Sequence, residues 1–334
     1  MTGEHERGAV IPLVAVALVV LLGVVSLVVD LGHGWLTRQV LVAATDAAAL
    51  AAAQDLAAGG DGCAATAAAY LAANDDDAVL DSCVPHTYDA VHGRVLVTAS
   101  HSLDPGFAAV LGQDELTVGS TSAALWAPPA AVTGIRPIGL CYHASADLRR
   151  FIDDPTPTSD RVVVWMAPEE GSACEGTYVN WAALDFDGGS FVRDEIEAWA
   201  LNGYPEPVAF SPHAITDCGG DLHCYHGELS SLWWLGHELD HLRDSGHYVT
   251  LPVFDRADEV DDVTLFHLVG VVRARIVDFR LGSWDDRPYL LLDIKPGVVT
   301  GTCCGDGAGA GGNRVVGLCA VDPDDLSACA TGGS

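Results

Sequence analysis

The chain has 334 residues, of which 46 are acidic and only 16 are lysine or arginine, so its formal net charge at pH 7 is −30. A surface this acidic repels polyanions, and the composition therefore excludes nucleic acid as a partner. The hydrophobic fraction of 49% is too high for a disordered acidic chain, and the length accommodates one large or two ordinary domains.

The first predicted element is a transmembrane helix. The residues from Ala9 to Val29 carry no charge, and at 1.5 Å per residue they span about 30 Å, the thickness of a bilayer core. Pro12 falls in the first turn, where its missing N–H removes no internal bond, and Gly23 is ordinary in lipid-embedded helices. The stretch is longer than the apolar core of a secretory signal, and residues 1–8 carry two glutamates against one arginine, so we expect an uncleaved anchor.

All the cysteines follow this segment. They are Cys63, Cys83, Cys141, Cys174, Cys218, Cys224, Cys303, Cys304, Cys319 and Cys329. An even number on one side of a membrane suits an oxidising compartment, where disulfides form. We therefore expect a single-pass plasma-membrane protein with residues 1–8 in the cytoplasm and the C-terminal body outside it.

Residues 30–127 are predicted to continue the membrane helix as a stalk and then to form a small α+β unit. The stretch up to Gly59 contains no proline and is rich in alanine, the best helix former. Its alanines form two adjacent stripes, namely Ala43, Ala47 and Ala51, with Ala44, Ala48 and Ala52 beside them. The first stripe is predicted to be a packing face, because small side chains permit close approach of another element. That element is either the body of the same chain or an assembly partner.

A second helix and two strands are predicted to complete this unit. The helix falls within residues 63–83, whose bounding cysteines are placed for a disulfide that the sequence alone does not establish. Period-two patterning in GRVLVTASHSL and ELTVGSTSAALWA predicts strands, with the apolar piece Pro105–Gly112 between them. The run Ala127–Ala131 contains two prolines and is the best candidate for a linker.

Residues 134–300 are predicted to form a β-rich exterior domain, because short apolar runs alternate there with glycine, proline and aspartate. Helices are expected near Val192–Leu201 and Leu229–Leu242. Residues 301–334 form a glycine-rich tail with four cysteines, which we expect disulfides to order because it has little apolar surface. The predicted class is thus α+β, with one N-terminal transmembrane helix and a disulfide-containing exterior body.

A distinctive group of residues flanks and follows the apolar span. They are Arg7-Gly8, Asp30, Gly32, Arg38-Gln39, Ala44 and Asp46 to Ala52. This combination resembles the Tad (tight adherence) pilus-assembly proteins, in particular the TadG-like N-terminal region. A weaker likeness continues downstream in GTYVNWAALDFDGG and LFHLVGVVRARI.

The resemblance implies a single-pass envelope protein whose partners are the lipid bilayer and other Tad or Flp pilus-assembly proteins. It implies a non-enzymatic role in pilus assembly or surface adhesion. Related TadE-like pseudopilins carry a glutamate five residues after the glycine of a processing site, whereas Leu13 occupies that position after Gly8 here. A processed pseudopilin subunit is therefore an alternative. Some relatives also carry a metal-binding von Willebrand A motif, but the nearest string, Asp325-Leu-Ser-Ala-Cys329, lacks the last serine.

One string matches a zinc-protease motif. His237, Glu238 and His241 have the spacing that this motif requires. On a helix the two imidazoles share one face and can bind zinc, and the glutamate activates water. His247 stands where a third zinc ligand is expected. Asp244 replaces the glycine that lets the metzincin chain turn. A membrane-tethered zinc metallopeptidase is one alternative, a structural or adventitious metal site another, and a solvated histidine-rich helix is the interpretation that we favour.

Two other segments have competing interpretations. Cys218 and Cys224 flank a short loop, and in an oxidising space we expect them to form a disulfide rather than a zinc site. The segment from Leu184 to Gly189 begins like a calcium loop, but its twelfth position is Ile196 rather than glutamate, which favours a tight strand turn. The sequence has no phosphate loop, nucleophile elbow or dinucleotide fingerprint, so no small-molecule cofactor is predicted.

Overall fold

The computed structural model describes residues 10–104, 106, 115–154, 156–168, 173–189, 191–213, 215–229, 232–282, 287–303 and 309–319. Several predicted features lie outside these ranges, namely residues 1–8, Ala9, most of Pro105–Gly112, Cys304, Asp325 and Cys329. Within them, a long apolar helix precedes mixed helices and sheets, which confirms the predicted α+β class.

The elements have the following bounds. The helices are α1 (Val10–Ala57), α2 (Cys63–Asn74), α3 (Ala146–Asp153), α4 (Arg193–Asn202) and α5 (Gly236–Ser245), with 3₁₀ turns at Tyr142–Ala144 and Trp233–Leu235. The strands are β1 (Ala78–Thr87), β2 (Gly93–Leu103), β3 (Leu116–Ala127), β4 (Pro129–Val132), β5 (Ile138–Cys141), β6 (Asp160–Trp165), β7 (Trp181–Asp185), β8 (Val208–Ala209), β9 (Cys224–Leu229), β10 (Val249–Val260), β11 (Val263–Arg280), β12 (Tyr289–Ile294), β13 (Gly301–Cys303) and β14 (Val315–Cys319).

Helix α1 is continuous over 48 residues and runs from the predicted span into the stalk without a break. It ends two residues before Gly59, whose φ of +84° suits a residue without a side chain. The Asp55 carboxylate accepts a hydrogen bond from the backbone N–H of Gly62 at 3.0 Å, which ties the end of α1 to the start of α2. A disulfide between Cys63 and Cys83 then joins α2 to β1.

Four antiparallel strands pack on the second half of α1, in the order β1-β2-β3-β14. Alternate residues of β2, Val95, Val97 and Ala99, are fully buried, as period-two geometry dictates for a strand with one covered face. They share one hydrophobic core with Leu41 and Ala48 of α1. The stalk part of α1 is therefore the centre of this unit and not a free rod.

The second unit is built around a closed ring of strands. Its seven-stranded sheet has the order β10-β5-β7-β9-β11-β12-β6, and β10 also pairs with β11, so that five strands form the ring. Strand β11 is 18 residues long, because its first part belongs to the ring while its second part pairs with β12. Phe254 and Phe266 lie inside, fully buried, with their ring centroids 5.1 Å apart.

Three predicted boundaries differ from the structure. The linker proposed over Ala127–Ala131 is incorporated in β3 and β4, and β4 pairs with both β8 and β13. The tail, predicted as a separate segment, supplies β14, which pairs with β3 through Val316 and Trp126. Both differences arise because the exposed backbone of a strand gains hydrogen bonds from any segment that can reach it, whatever its distance in sequence. The helix expected over Leu229–Leu242 starts only at Gly236, since β9 extends to Leu229.

Candidate membrane anchor and candidate metal sites

The first half of α1 exposes almost all its apolar surface. Every large hydrophobic side chain from Leu13 to Val29 is more than half exposed. Only Ser26 is buried in this stretch, and its hydroxyl donates to the Leu22 carbonyl at 2.6 Å, which satisfies it within the helix. Of the helices in the described part of the chain, α1 alone is long and apolar enough to cross a bilayer. It is the candidate membrane span.

Two predicted features of the span have a simple structural role. Pro12 lies in the first turn of α1, where a missing N–H breaks no helical hydrogen bond. A Cβ placed on Gly23 would meet nothing within 4 Å, so this glycine is not needed for contact with another part of the chain. Ala9 lies outside the described residues.

The exposed apolar surface continues beyond the predicted end of the span at Val29. Trp35, Leu36 and Val40 are 61%, 59% and 50% exposed. The sequence pattern misses this extension because the charge of Asp30 marks the predicted end of the span. The available signal was Trp35, since tryptophan is enriched where a helix leaves the bilayer.

The packing face of the stalk differs from the prediction. Ala43 is exposed and Ala47 half-buried, and only Ala51 of that stripe is buried. The adjacent stripe carries the contact, with Ala44, Ala48 and Ala52 all at most 1% exposed. The contact within the chain therefore lies one residue, or about 100° around the helix, from the predicted face of Ala43, Ala47 and Ala51, and the use of that face by an assembly partner stays a prediction. Both stripes are alanine-rich, so composition alone did not distinguish them. The buried stripe packs on the same chain.

Two polar side chains next to the buried alanine stripe of α1 also make hydrogen bonds. The Thr45 hydroxyl, fully buried, donates to the Leu41 carbonyl at 2.6 Å. The Asp46 carboxylate accepts a hydrogen bond from the Ser122 hydroxyl of β3 at 2.5 Å. A charged acceptor makes this the stronger kind of hydrogen bond, and it fixes how α1 lies on the sheet.

The residues of the zinc-protease string differ in their exposure on helix α5. His237 and His241 point to solvent, whereas Glu238 is only 6% exposed and its Oε2 has no hydrogen-bond partner. The one-residue step from His237 to Glu238 is part of the motif itself, so the feature that distinguishes this helix is the burial of Glu238 next to exposed histidines. His247 is exposed and comes after Gly246, which ends the helix at a φ of +64°.

The rest of the α5 surface is occupied by ion pairs. Arg243 contacts Asp240 at 2.8 Å and Asp244 at 2.9 Å, so these two aspartates face solvent beside the histidines. Among the described residues, no group of three or more His, Cys, Asp or Glu side chains is placed to hold a metal ion. The structure therefore does not bring His237, His241 and His247 together as a ligand set.

Disulfides account for several cysteines of the body. Cys218 pairs with Cys224, as expected. A further pair, Cys141 with Cys174, links β5 to the loop before β7, and cysteine spacing alone does not identify this pairing. With their sulfurs in disulfide bonds, these cysteines are not available as thiolate ligands.

The turn after β7 carries a perturbed carboxyl group. Asp185 is 1% exposed, and burial, together with the neighbouring Asp187 side chain, raises its pKa to about 6. A second buried ionisable group, His267, lies fully inside, with Nδ1 2.8 Å from Asp255 Oδ1. Sequence reasoning missed His267, whose only signal is its position within the apolar strand segment LFHLVG.

These features define an α+β protein with one candidate membrane-spanning helix at its N-terminus. Residues 8–55 match the model of the Tad family, described as "Putative Flp pilus-assembly TadE/G-like". This confirms the resemblance that the sequence suggested, for the N-terminal region that the family model covers. The match covers α1 to within two residues of its end. Comparisons with curated proteins and with solved structures give no significant match.

Proposed function

We propose that this protein is a single-pass, non-enzymatic component of the Flp pilus-assembly machinery, with its amino terminus in the cytoplasm and its body outside. The observation that supports this most directly is the continuity of α1. One helix, about 72 Å long at 1.5 Å per residue, has an exposed apolar half and a half that forms the core of the first unit. Movement or force at the membrane therefore reaches the body through a stiff element.

The body has properties that suit the outside of the cell. Three disulfides join pairs of cysteines in the described part of the body, and disulfides persist in oxidising compartments. The high negative charge of the chain keeps such a body soluble and away from the anionic membrane surface. In this proposal the body presents contacts to other pilus-assembly proteins or to a surface at a distance fixed by the helix.

A proline in α1 tests whether the continuous helix matters. Gln39 is exposed and lies just before the buried half of the helix, and Gln39→Pro removes a helical hydrogen bond and kinks the helix there. Gln39→Ala is the matched control. In a strain lacking the native gene, we expect the proline variant to accumulate and to retain its disulfides but to restore far fewer pili than the alanine variant. Equal piliation with both variants, or unchanged piliation after deletion of the gene, would contradict the proposal.

The burial of Glu238 supports the non-enzymatic part of the proposal, because a general base must reach a metal-bound water, and Glu238 is buried while His237 and His241 are exposed. Metal analysis of the full-length protein provides the test, with Glu238→Gln and His241→Ala as comparisons. We expect no stoichiometric zinc in any of the three. One zinc per chain that is lost in His241→Ala would favour the metallopeptidase alternative.

The processed pseudopilin is tested by the mass of the intact protein isolated from membranes. An unprocessed anchor retains residues 1–8, whereas a processed pseudopilin lacks them. We expect the longer mass.

A further inference from the structure

The turn that follows β7 places two carboxylates side by side. Asp185 is the last residue of the strand, and its Oδ1 accepts a hydrogen bond from the backbone N–H of Asp187 at 3.2 Å. Asp187 is exposed, and its Oδ1 accepts from the N–H of Gly189 at 2.7 Å. Gly188 between them has a φ of +74°, which lets the chain fold back. The Asp185 and Asp187 carboxylates are therefore both held within one turn by backbone N–H groups.

The second oxygen of Asp185 lacks a partner. Asp185 is 1% exposed, and its Oδ2 is enclosed without a hydrogen-bond donor. A buried carboxylate oxygen with no donor is unfavourable, and here its polar neighbour is another acid. A positive charge is missing from this arrangement.

The surroundings do not supply that charge. In the described part of the chain neither aspartate is paired with a lysine or an arginine. Burial, and after it the charges of Asp187, Glu206 and Asp185, raise the pKa of the Tyr204 hydroxyl. The His226 imidazole is also near, but its Nδ1 is hydrogen-bonded to the Gly189 carbonyl at 3.0 Å.

We propose that Asp185 and Asp187 bind a calcium ion. Carboxylate oxygens are hard ligands that suit Ca²⁺, whereas Zn²⁺ prefers nitrogen and sulfur. Calcium accepts irregular coordination completed by water, while Mg²⁺ requires a strict octahedron. Asp187 is exposed, so water can reach an ion held there, and an open depression of about 760 Å³ lies beside the turn at Gly188 and Gly189. Two protein carboxylates predict weak binding, with a Kd on the order of 10⁻⁴–10⁻³ M, as in extracellular modules.

Terbium luminescence tests the proposal on the full-length protein in detergent micelles. Tb³⁺ replaces Ca²⁺ at oxygen sites, and its emission is sensitised by nearby aromatic rings. Tyr204 and Trp199 have centroids 4.8 Å apart, and Tyr204 adjoins the aspartates. We expect sensitised emission that Ca²⁺ displaces, and a melting temperature that rises with Ca²⁺ concentration.

Asp187→Asn is the first variant, since an exposed side chain can be changed without loss of folding, and Asp185→Asn is the second. Each is expected to weaken the displacement by Ca²⁺ about tenfold or more, because ligand charge sets the affinity. Asp217→Asn is the matched control, because Asp217 accepts the same hydrogen bond from Gly219, at 2.8 Å, but on an exposed turn. It should bind like the wild type.

Three results would overturn the proposal. The first is a melting temperature that does not respond to Ca²⁺ together with emission that Ca²⁺ does not displace. The second is unchanged binding in Asp187→Asn. The third is a wild type whose melting temperature does not respond to Ca²⁺, while Asp185→Asn melts at a higher temperature than the wild type. This would show that a bound proton, and not Ca²⁺, neutralises the pair of carboxylates.

Discussion

Ala48→Leu is expected to destabilise the first unit, because Ala48 is fully buried where α1 packs on β2 and β3. An isobutyl group in place of a methyl has no space in a core shared with Val97 and Ala124, both fully buried. Overpacking of this kind costs about 1–3 kcal/mol. Ala43→Leu, on the exposed adjacent stripe, should change the free energy of unfolding by less than about 0.5 kcal/mol.

The assay is urea unfolding of the full-length protein in detergent micelles, followed by tryptophan fluorescence, with the two variants measured beside the wild type. A lower midpoint for Ala48→Leu and an unchanged midpoint for Ala43→Leu are expected. Equal effects, or a larger effect for Ala43→Leu, would refute the assignment of the buried stripe and with it the way α1 lies on the sheet.

Three further predictions concern the body. Loss of the Cys63–Cys83 disulfide in Cys63→Ser should lower stability by about 3 kcal/mol, since the bond closes a loop of 20 residues, and a melt equal to that of the wild type under non-reducing conditions would contradict this. Arg161 and Arg275 lower the pKa of Asp293 in the folded protein. The stabilisation from this carboxylate is therefore complete above its pKa in the unfolded chain and is lost as the pH falls through its lowered pKa in the folded state. Asp293→Asn should flatten the acid side of a plot of melting temperature against pH, and an unchanged slope would contradict this. Gly270→Ala should prevent normal folding, judged by loss of the cooperative melt, because its Cβ would lie 2.3 Å from a backbone carbonyl oxygen.

Local patterns predicted the elements that depend on local physics. The charge-free run from Ala9 to Val29 and the alanine-rich stretch after it predicted a continuous helix, since length, hydropathy and helix propensity all favoured the same structure. The period-two runs around Val95 and Ala124 predicted β2 and β3 for a similar reason. The cysteines at 63 and 83 were close enough in sequence to suggest their bond.

Features that depend on distant contacts were not predictable. The tail strand β14 pairs with β3 across nearly 190 positions, and no local pattern encodes such a partner. The choice between the stripes of Ala43 and Ala44 depends on which face meets the sheet, which is a tertiary property. The same holds for Glu238, whose burial follows from how α5 packs and is not visible in the spacing of the motif.

The central claim is that α1 is embedded in the membrane as one helix and carries the body on the outside of the cell. Protease treatment of intact cells and of lysed cells, with an epitope at the amino terminus and detection of the body, tests it most directly. We predict that the protein sediments with membranes, that the body is cleaved in intact cells, and that the amino-terminal epitope is protected until the cells are lysed. A soluble protein without its apolar N-terminal segment, or a body protected in intact cells, would contradict the claim.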